Sequence, residues 1–251
     1  MSFSNLDGFL WLLGCLIPFL IIQRWLHREL LELLLLITRR KGLALGLFSF
    51  IFFPGVFIHE ISHFLAAILT GVRTGKISLI PQPMQDGRLR LGFVETEASD
   101  PFRGAIIGAA PLISGGLIVS FIGFNCLGLA SVGDAYRQAG WQVTWQALST
   151  IPDQPDFWLW LYLAFTISSL MLPSTSDRKS WLPVLLVLLL LFSLAILSGG
   201  GQWLLENIAL WVNQVCWSLA GVFAISLIFH VIFGIPITFL RLGFGWLTNR
   251  T

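Results

Sequence analysis

The chain has 251 residues, of which 56% are hydrophobic, 14% aromatic and 11% charged, with a net charge of +2. A soluble domain of this length carries about 25% charged residues, and a mean hydropathy of +0.82 exceeds what one soluble core can absorb. The composition therefore excludes an ordinary soluble protein, and the lack of any basic run excludes nucleic acid as a partner. The implied partner is the lipid bilayer.

The first residues, Met1 to Gly8, hold an aspartate and no lysine or arginine. They do not read as a secretory signal, so Phe9 to Ile22 is expected to be a short uncleaved span. Residues 24–41 place Leu26, Leu30, Leu33, Leu34 and Ile37 at helical spacing between Arg24, Arg28, Glu29, Glu32 and the Arg39-Arg40-Lys41 cluster. That pattern suggests an amphipathic helix on the membrane surface. Residues 43–70 form an apolar run interrupted by Pro54 and Gly55, whose ionisable residues are His59, Glu60 and His63. Next come two extended segments, 76–80 and 88–93, separated by the hairpin turn signal Asp86-Gly87. Pro81 and Pro83 belong at an edge or in the loop of such a hairpin.

Further spans are expected at 104–130, 157–173, 181–198 and 214–240, with a polar loop at 131–156 and an interfacial segment at 203–212. Gly104, Gly108, Gly115 and Gly116 would let a neighbouring helix approach closely. The fold expected is an all-α polytopic membrane protein of about six transmembrane helices with a small membrane-associated β-hairpin at about 76–95. Its parts are an N-terminal span and surface helix (1–42), a core (43–180) and additional C-terminal spans (181–251). Placing basic 71–103, Arg178-Lys179, Arg241 and Arg250 on the cytoplasmic side follows the positive-inside rule, with 24–41 as an exception. Cys15, Cys126 and Cys216 are dispersed without a CxxC pair, which argues against disulfides and thiolate metal sites.

The residues that carry chemistry are His59-Glu60-Ile61-Ser62-His63, an H-E-x-x-H sequence. Positions i and i+4 share one face of a helix, so both imidazoles reach the same zinc ion. Glu60, about 100° around the helix from His59, is placed to act as general base on a water. Charge inside an apolar span costs about 2.5–3.5 kcal/mol on insertion scales, and a metal would satisfy all three groups together. Candidates for a third ligand are Asp177, Glu206, His230, Glu95 and Glu97. A hydrogen-bonded cluster without metal, or an ion or proton pathway, would use the same residues.

Taken together these residues resemble the site-2 protease family of intramembrane zinc metalloproteases, over about 43–180. The likeness rests on His59-Glu60-Ile61-Ser62-His63, on Ala109-Ala110-Pro111-Leu-Ile-Ser114-Gly115 as a Gly-Pro-x-x-Asn element, and on Leu172-Pro173-Ser-Thr-Ser-Asp177 as the element supplying an aspartate ligand. It implies zinc held by His59, His63 and Asp177, with Glu60 as catalytic base. It also implies hydrolysis of a peptide bond in a membrane-spanning protein substrate near the cytoplasmic side. Ala110 and Ser114 replace the family's Gly and Asn, and Ser176 and Arg178 replace the Leu and Gly around the aspartate. The alternatives are an inactive protease-fold scaffold and an ion or proton transporter.

Overall fold

The computed structural model describes residues 7–79, 81–83 and 89–248. In chain order these form α1 (Asp7–Thr38), α2 (Lys41–Ile51), α3 (Phe53–Leu69), β1 (Thr74–Ser78), β2 (Gln82–Pro83), β3 (Leu89–Arg90), β4 (Phe93–Thr96), α4 (Pro101–Phe121), α5 (Leu129–Ser149), α6 (Phe157–Leu170), α7 (Trp181–Ala195) and α8 (Gly201–Leu247). Among the described residues, three helical stretches are long and apolar enough to cross a membrane: Asp7–Thr38, Pro101–Cys126 and Trp181–Leu247. A fourth arises if the bent pair α2–α3 counts as one span. The expectation of about six is therefore met only in part. α6, with 14 residues, is apolar but shorter than a full crossing requires.

Two expected boundaries are absent. Residues 24–38 continue α1 rather than forming a separate surface helix. Between Gln23 and Thr38 no Gly or Pro interrupts a run of good helix formers, and the face expected to meet lipid headgroups instead meets α8. Leu26, Leu30, Leu33 and Leu34 are buried, and so is Glu29. Arg241 Nε donates to Glu29 Oε2, and Arg241 Nη1 stands 3.5 Å from Glu32 Oε2. The second absent boundary lies in α8, which runs unbroken through 203–212 and 214–240. The polar stretch 131–156 is largely helical as well: α5 covers most of it, bent at Gly140 (φ 72°). Its low hydropathy signalled polarity, which a helix tolerates as readily as a loop.

The interruption at Pro54 is observed. α2 and α3 meet at a bend of 67°, with Pro54 in the first turn of α3, where its missing N–H costs nothing. The hairpin is present with a shifted register. β1 pairs antiparallel with β4 (Ile77 opposite Val94, Ser78 opposite Phe93), and β2 pairs with β3 (Pro83 opposite Leu89). Leu91 and Gly92 separate the two short ladders, so 88–93 is not one strand. The Asp86-Gly87 turn, Ile80 and Arg88 lie outside the described residues.

Contacts fix the helix directions. α1 and α8 run parallel: Gly8 N donates to Asn213 Oδ1 (2.8 Å), Phe19 stacks on Phe223, and Glu29 pairs with Arg241. α6 runs against α8, with Phe165 on Phe233 and Ser169 on His230. α3 runs with α6, and α4 runs against both. The hairpin, the start of α4 and the loop after α6 therefore share one end of the bundle, and Arg39, Arg40, Lys41 and Arg241 lie at the other. This corrects the side assigned to Arg241 from charge. Basic residues occupy both ends, so a charge count selects neither; Arg250 lies outside the described residues.

The main core cluster includes Leu26, Phe52, Leu161, Phe165 and Phe229. Removing Arg241 would leave Glu29 buried without its counter-charge, which is more damaging than removing both. Arg241→Ala is expected to destabilise the detergent-solubilised protein by about 3 kcal/mol, and the double change Glu29→Leu/Arg241→Leu to recover most of that loss. Unfolding of the two variants beside wild type measures both.

Candidate metal centre

α3 carries His59 and His63 one turn apart, and their imidazole Nε2 atoms stand 3.1 Å from each other. The loop between α6 and α7 brings Asp177 to them. Its Oδ1 lies 3.5 Å from His63 Nε2 and its Oδ2 lies 3.8 Å from His59 Nε2. These three residues form a group whose potential ligand atoms all lie within 4.8 Å of one another. The other third-ligand candidates lie elsewhere. Glu206 accepts from Gln202 on the exposed side of α8, His230 bonds Ser169 and Ser226, Glu95 faces Gly75 and Lys76, and Glu97 pairs through its backbone with Arg73.

Backbone carbonyls fix both rings. His59 Nδ1 lies 2.7 Å from the Leu170 carbonyl oxygen, and His63 Nδ1 lies 2.9 Å from that of Ile107. A carbonyl only accepts, so both Nδ1 atoms must carry hydrogen. In neutral rings both Nε2 atoms are then bare lone pairs, aimed at one another and at a carboxylate. Three electron-rich groups converging in a largely buried place are suited to holding a cation. A proton bridges one pair of them; a metal ion engages all three. Tetrahedral ligands bound at 2.0–2.1 Å stand roughly 3.3 Å apart; the two Nε2 atoms, 3.1 Å apart, match that spacing, and each faces a different Asp177 oxygen, at 3.5 and 3.8 Å. The donor set also fits zinc, which takes imidazole and carboxylate ligands and, in catalytic sites, three protein ligands.

Asp177 is itself held. Its Oδ2 accepts from the Ser174 backbone N–H at 2.7 Å, in a tight turn after Pro173. Burial by itself raises the Asp177 carboxyl, but His63 in its protonated form and the hydrogen bonds from Ser174 outweigh it and hold the group below the usual carboxylate range. It is therefore poised as an anion, the form that binds a metal.

Glycines set how closely these pieces approach. A Cβ on Gly108 would fall 2.0 Å from the Asp177 carbonyl oxygen, and one on Gly104 2.4 Å from Ser180 Oγ. The small residues at the start of α4 thus admit the Asp177 loop, where sequence alone suggested a helix. Further along, Gly115 meets Met171, and on α3 Gly55 meets the Thr166 carbonyl. Ser114, standing where the resembled family has Asn, joins Ser62 of α3 by a hydroxyl–hydroxyl hydrogen bond. It therefore ties α4 to α3 and is not one of the three clustered ligands.

Glu60 is buried on the same helix. A Cβ on Gly92 would lie 2.8 Å from Glu60 Cγ and 2.9 Å from Oε1, so the hairpin backbone rests directly on the carboxylate arm. The orienting carbonyls of Leu170 and Ile107, and the contact of Gly92, were not anticipated from the sequence. Backbone acceptors leave no residue-type signature, and a single glycine in a strand signals close approach without naming the neighbour.

No family model, no curated protein and no solved structure matches this chain.

Gly108→Ala is expected to push the Asp177 loop away from the two imidazoles. Overpacking of this kind costs about 1–3 kcal/mol, and zinc uptake measured by titration should fall while Gly116→Ala, whose added Cβ meets Val222 only at 3.7 Å, stays close to wild type.

Proposed function

We propose that this chain is a multi-pass, membrane-embedded zinc endopeptidase of the site-2 protease kind, with His59, His63 and Asp177 as metal ligands and Glu60 as the catalytic base. The observation that carries this reading is the convergence of two Nε2 lone pairs and one carboxylate, with both Nδ1–H groups already committed to carbonyls. Zinc bound there would supply a Lewis acid and lower the pKa of water from about 15.7 toward 7.

The chain's own residues then have separate tasks. His59 and His63 hold the metal through Nε2, oriented by Leu170 and Ile107. Asp177 supplies the anionic ligand from a loop gripped by α4. Glu60 is the group that takes a proton from the attacking water and returns it to the leaving amine. The apolar helices bury most of both imidazoles, which strengthens the electrostatic interactions within the cluster. A substrate suited to such a site is a membrane-spanning protein segment, opened locally so that its peptide bond reaches Glu60. The β-hairpin beside α3 is the element best placed to meet that segment, by adding it as a strand. A position near the cytoplasmic side rests on the resemblance alone, because basic residues occupy both ends of the bundle.

One observation favours a second reading. Gly92 lies against the Glu60 arm, so the described arrangement is closed over the base, as a non-catalytic scaffold of the same fold would also be.

Elemental analysis of the detergent-purified protein, joined to cleavage of single-span reporter proteins in reconstituted vesicles, separates these readings. About one zinc per chain is expected in wild type and Glu60→Gln, and little in His59→Ala or Asp177→Ala. Cleavage should fall by about 10²–10⁴-fold in Glu60→Gln. Zinc without any Glu60-dependent cleavage would favour the scaffold; a folded wild type that takes up no zinc would remove the hydrolase.

A further inference from the structure

Another group of buried polar side chains lies between α1, α6 and α8, away from the three ligands. Ser168, Ser169, Ser226 and His230 are all fully buried. Gln23 of α1 donates through Nε2 to the Ser169 carbonyl. His230 of α8 lies 2.7 Å through Nδ1 from the Ser226 carbonyl and 2.9 Å through Nε2 from Ser169 Oγ. The carbonyl fixes hydrogen on Nδ1, so Nε2 is the acceptor and the Ser169 hydroxyl the donor. Each of these bonds therefore has a defined direction.

We infer that Gln23 and His230 are positioning residues for the metal ligand His59, acting through the last turn of α6. The inference rests on the metal reading given above. The final carbonyls of a helix have no partner within it, and here two adjacent ones are taken by side chains from other helices. Gln23 holds the carbonyl of Ser169, and His59 Nδ1 meets that of Leu170. The two carbonyls are joined through one planar peptide unit and one residue, so a displacement of Ser169 is passed to the group that aims the His59 ring. The chain then leads from Leu170 through Met171, which is packed on Gly115, to the Asp177 turn. The α1–α8 pair thus grips the helix end on which one ligand's orientation and another ligand's approach both depend. Apolar side chains would pack α6 against α1 and α8 equally well, because hydrogen bonds add little net stability over well-packed apolar contact. What the polar set adds is a fixed rotation and height for the end of α6.

The test is zinc affinity of the full-length protein in detergent, measured by competition with a chromophoric chelator, together with melting of the zinc-free protein. Gln23→Leu and His230→Leu are expected to weaken zinc binding about tenfold, as loss of an outer-shell partner does. Ser169→Ala, a smaller change that removes only the hydroxyl link, should weaken it in the same direction. His230→Gln, which can accept from Ser169 and donate to Ser226, should restore most of the affinity. A purely structural role would lower the melting of the zinc-free variants and leave the zinc affinity of the folded protein unchanged. Wild-type affinity in Gln23→Leu and Ser169→Ala, or equal losses in His230→Gln and His230→Leu, would overturn the inference. A wild type that binds no zinc would instead remove the metal reading itself.

Discussion

Everything at the candidate centre follows from one electrostatic constraint. Two imidazoles whose Nδ1–H groups are committed to backbone carbonyls turn their lone pairs toward each other and toward a carboxylate. Converging lone pairs repel unless a cation stands among them, and the cost of leaving such groups uncompensated rises with burial, which is greatest at His63. The surrounding structure keeps them converged. Gly108 and Gly104 let the Asp177 loop press against α4, Gly55 lets α3 press against α6, and the carbonyls of Leu170 and Ile107 aim the rings.

The closed arrangement matters for function as well as for packing. The hairpin backbone at Gly92 leans on Glu60, and β4 pairs with β1 beside α3. A protein substrate reaching the base would have to displace that contact. On the proposed protease reading the hairpin would have a double character, screening the Glu60 carboxylate in the absence of substrate and offering strand hydrogen bonds to a segment that has lost its own.

Much of the site was legible in the sequence, for physical reasons. H-E-x-x-H on an apolar helix is read directly, because helical periodicity alone brings positions 59 and 63 to one face. Asp177 was one of five candidates from the residues themselves, favoured as a carboxylate in an irregular polar stretch after Pro173 and again by the resemblance, since a loop's path cannot be derived from spacing. The small residues of α4 correctly signalled a close approach but not what approaches. The fold was less legible at its boundaries. Hydropathy separates apolar from polar stretches, so it divided α1 at Gln23 and α8 at 213, where the backbone continues unbroken and Glu29 finds Arg241 across the helix pair. It likewise assigned 131–156 to a loop. The contacts of Gln23 and His230 had no local signal at all, because they depend on the last turn of α6 being held between helices far apart in sequence.

X-ray absorption at the zinc edge, on wild-type protein loaded with one equivalent and washed, reports the metal's immediate neighbours directly. A centre built from His59, His63 and Asp177 gives nitrogen and oxygen scatterers at about 2.0–2.2 Å, with the outer-shell pattern of two imidazoles and no sulfur at about 2.3 Å. Zinc surrounded by water alone, or by cysteine sulfur, would contradict it.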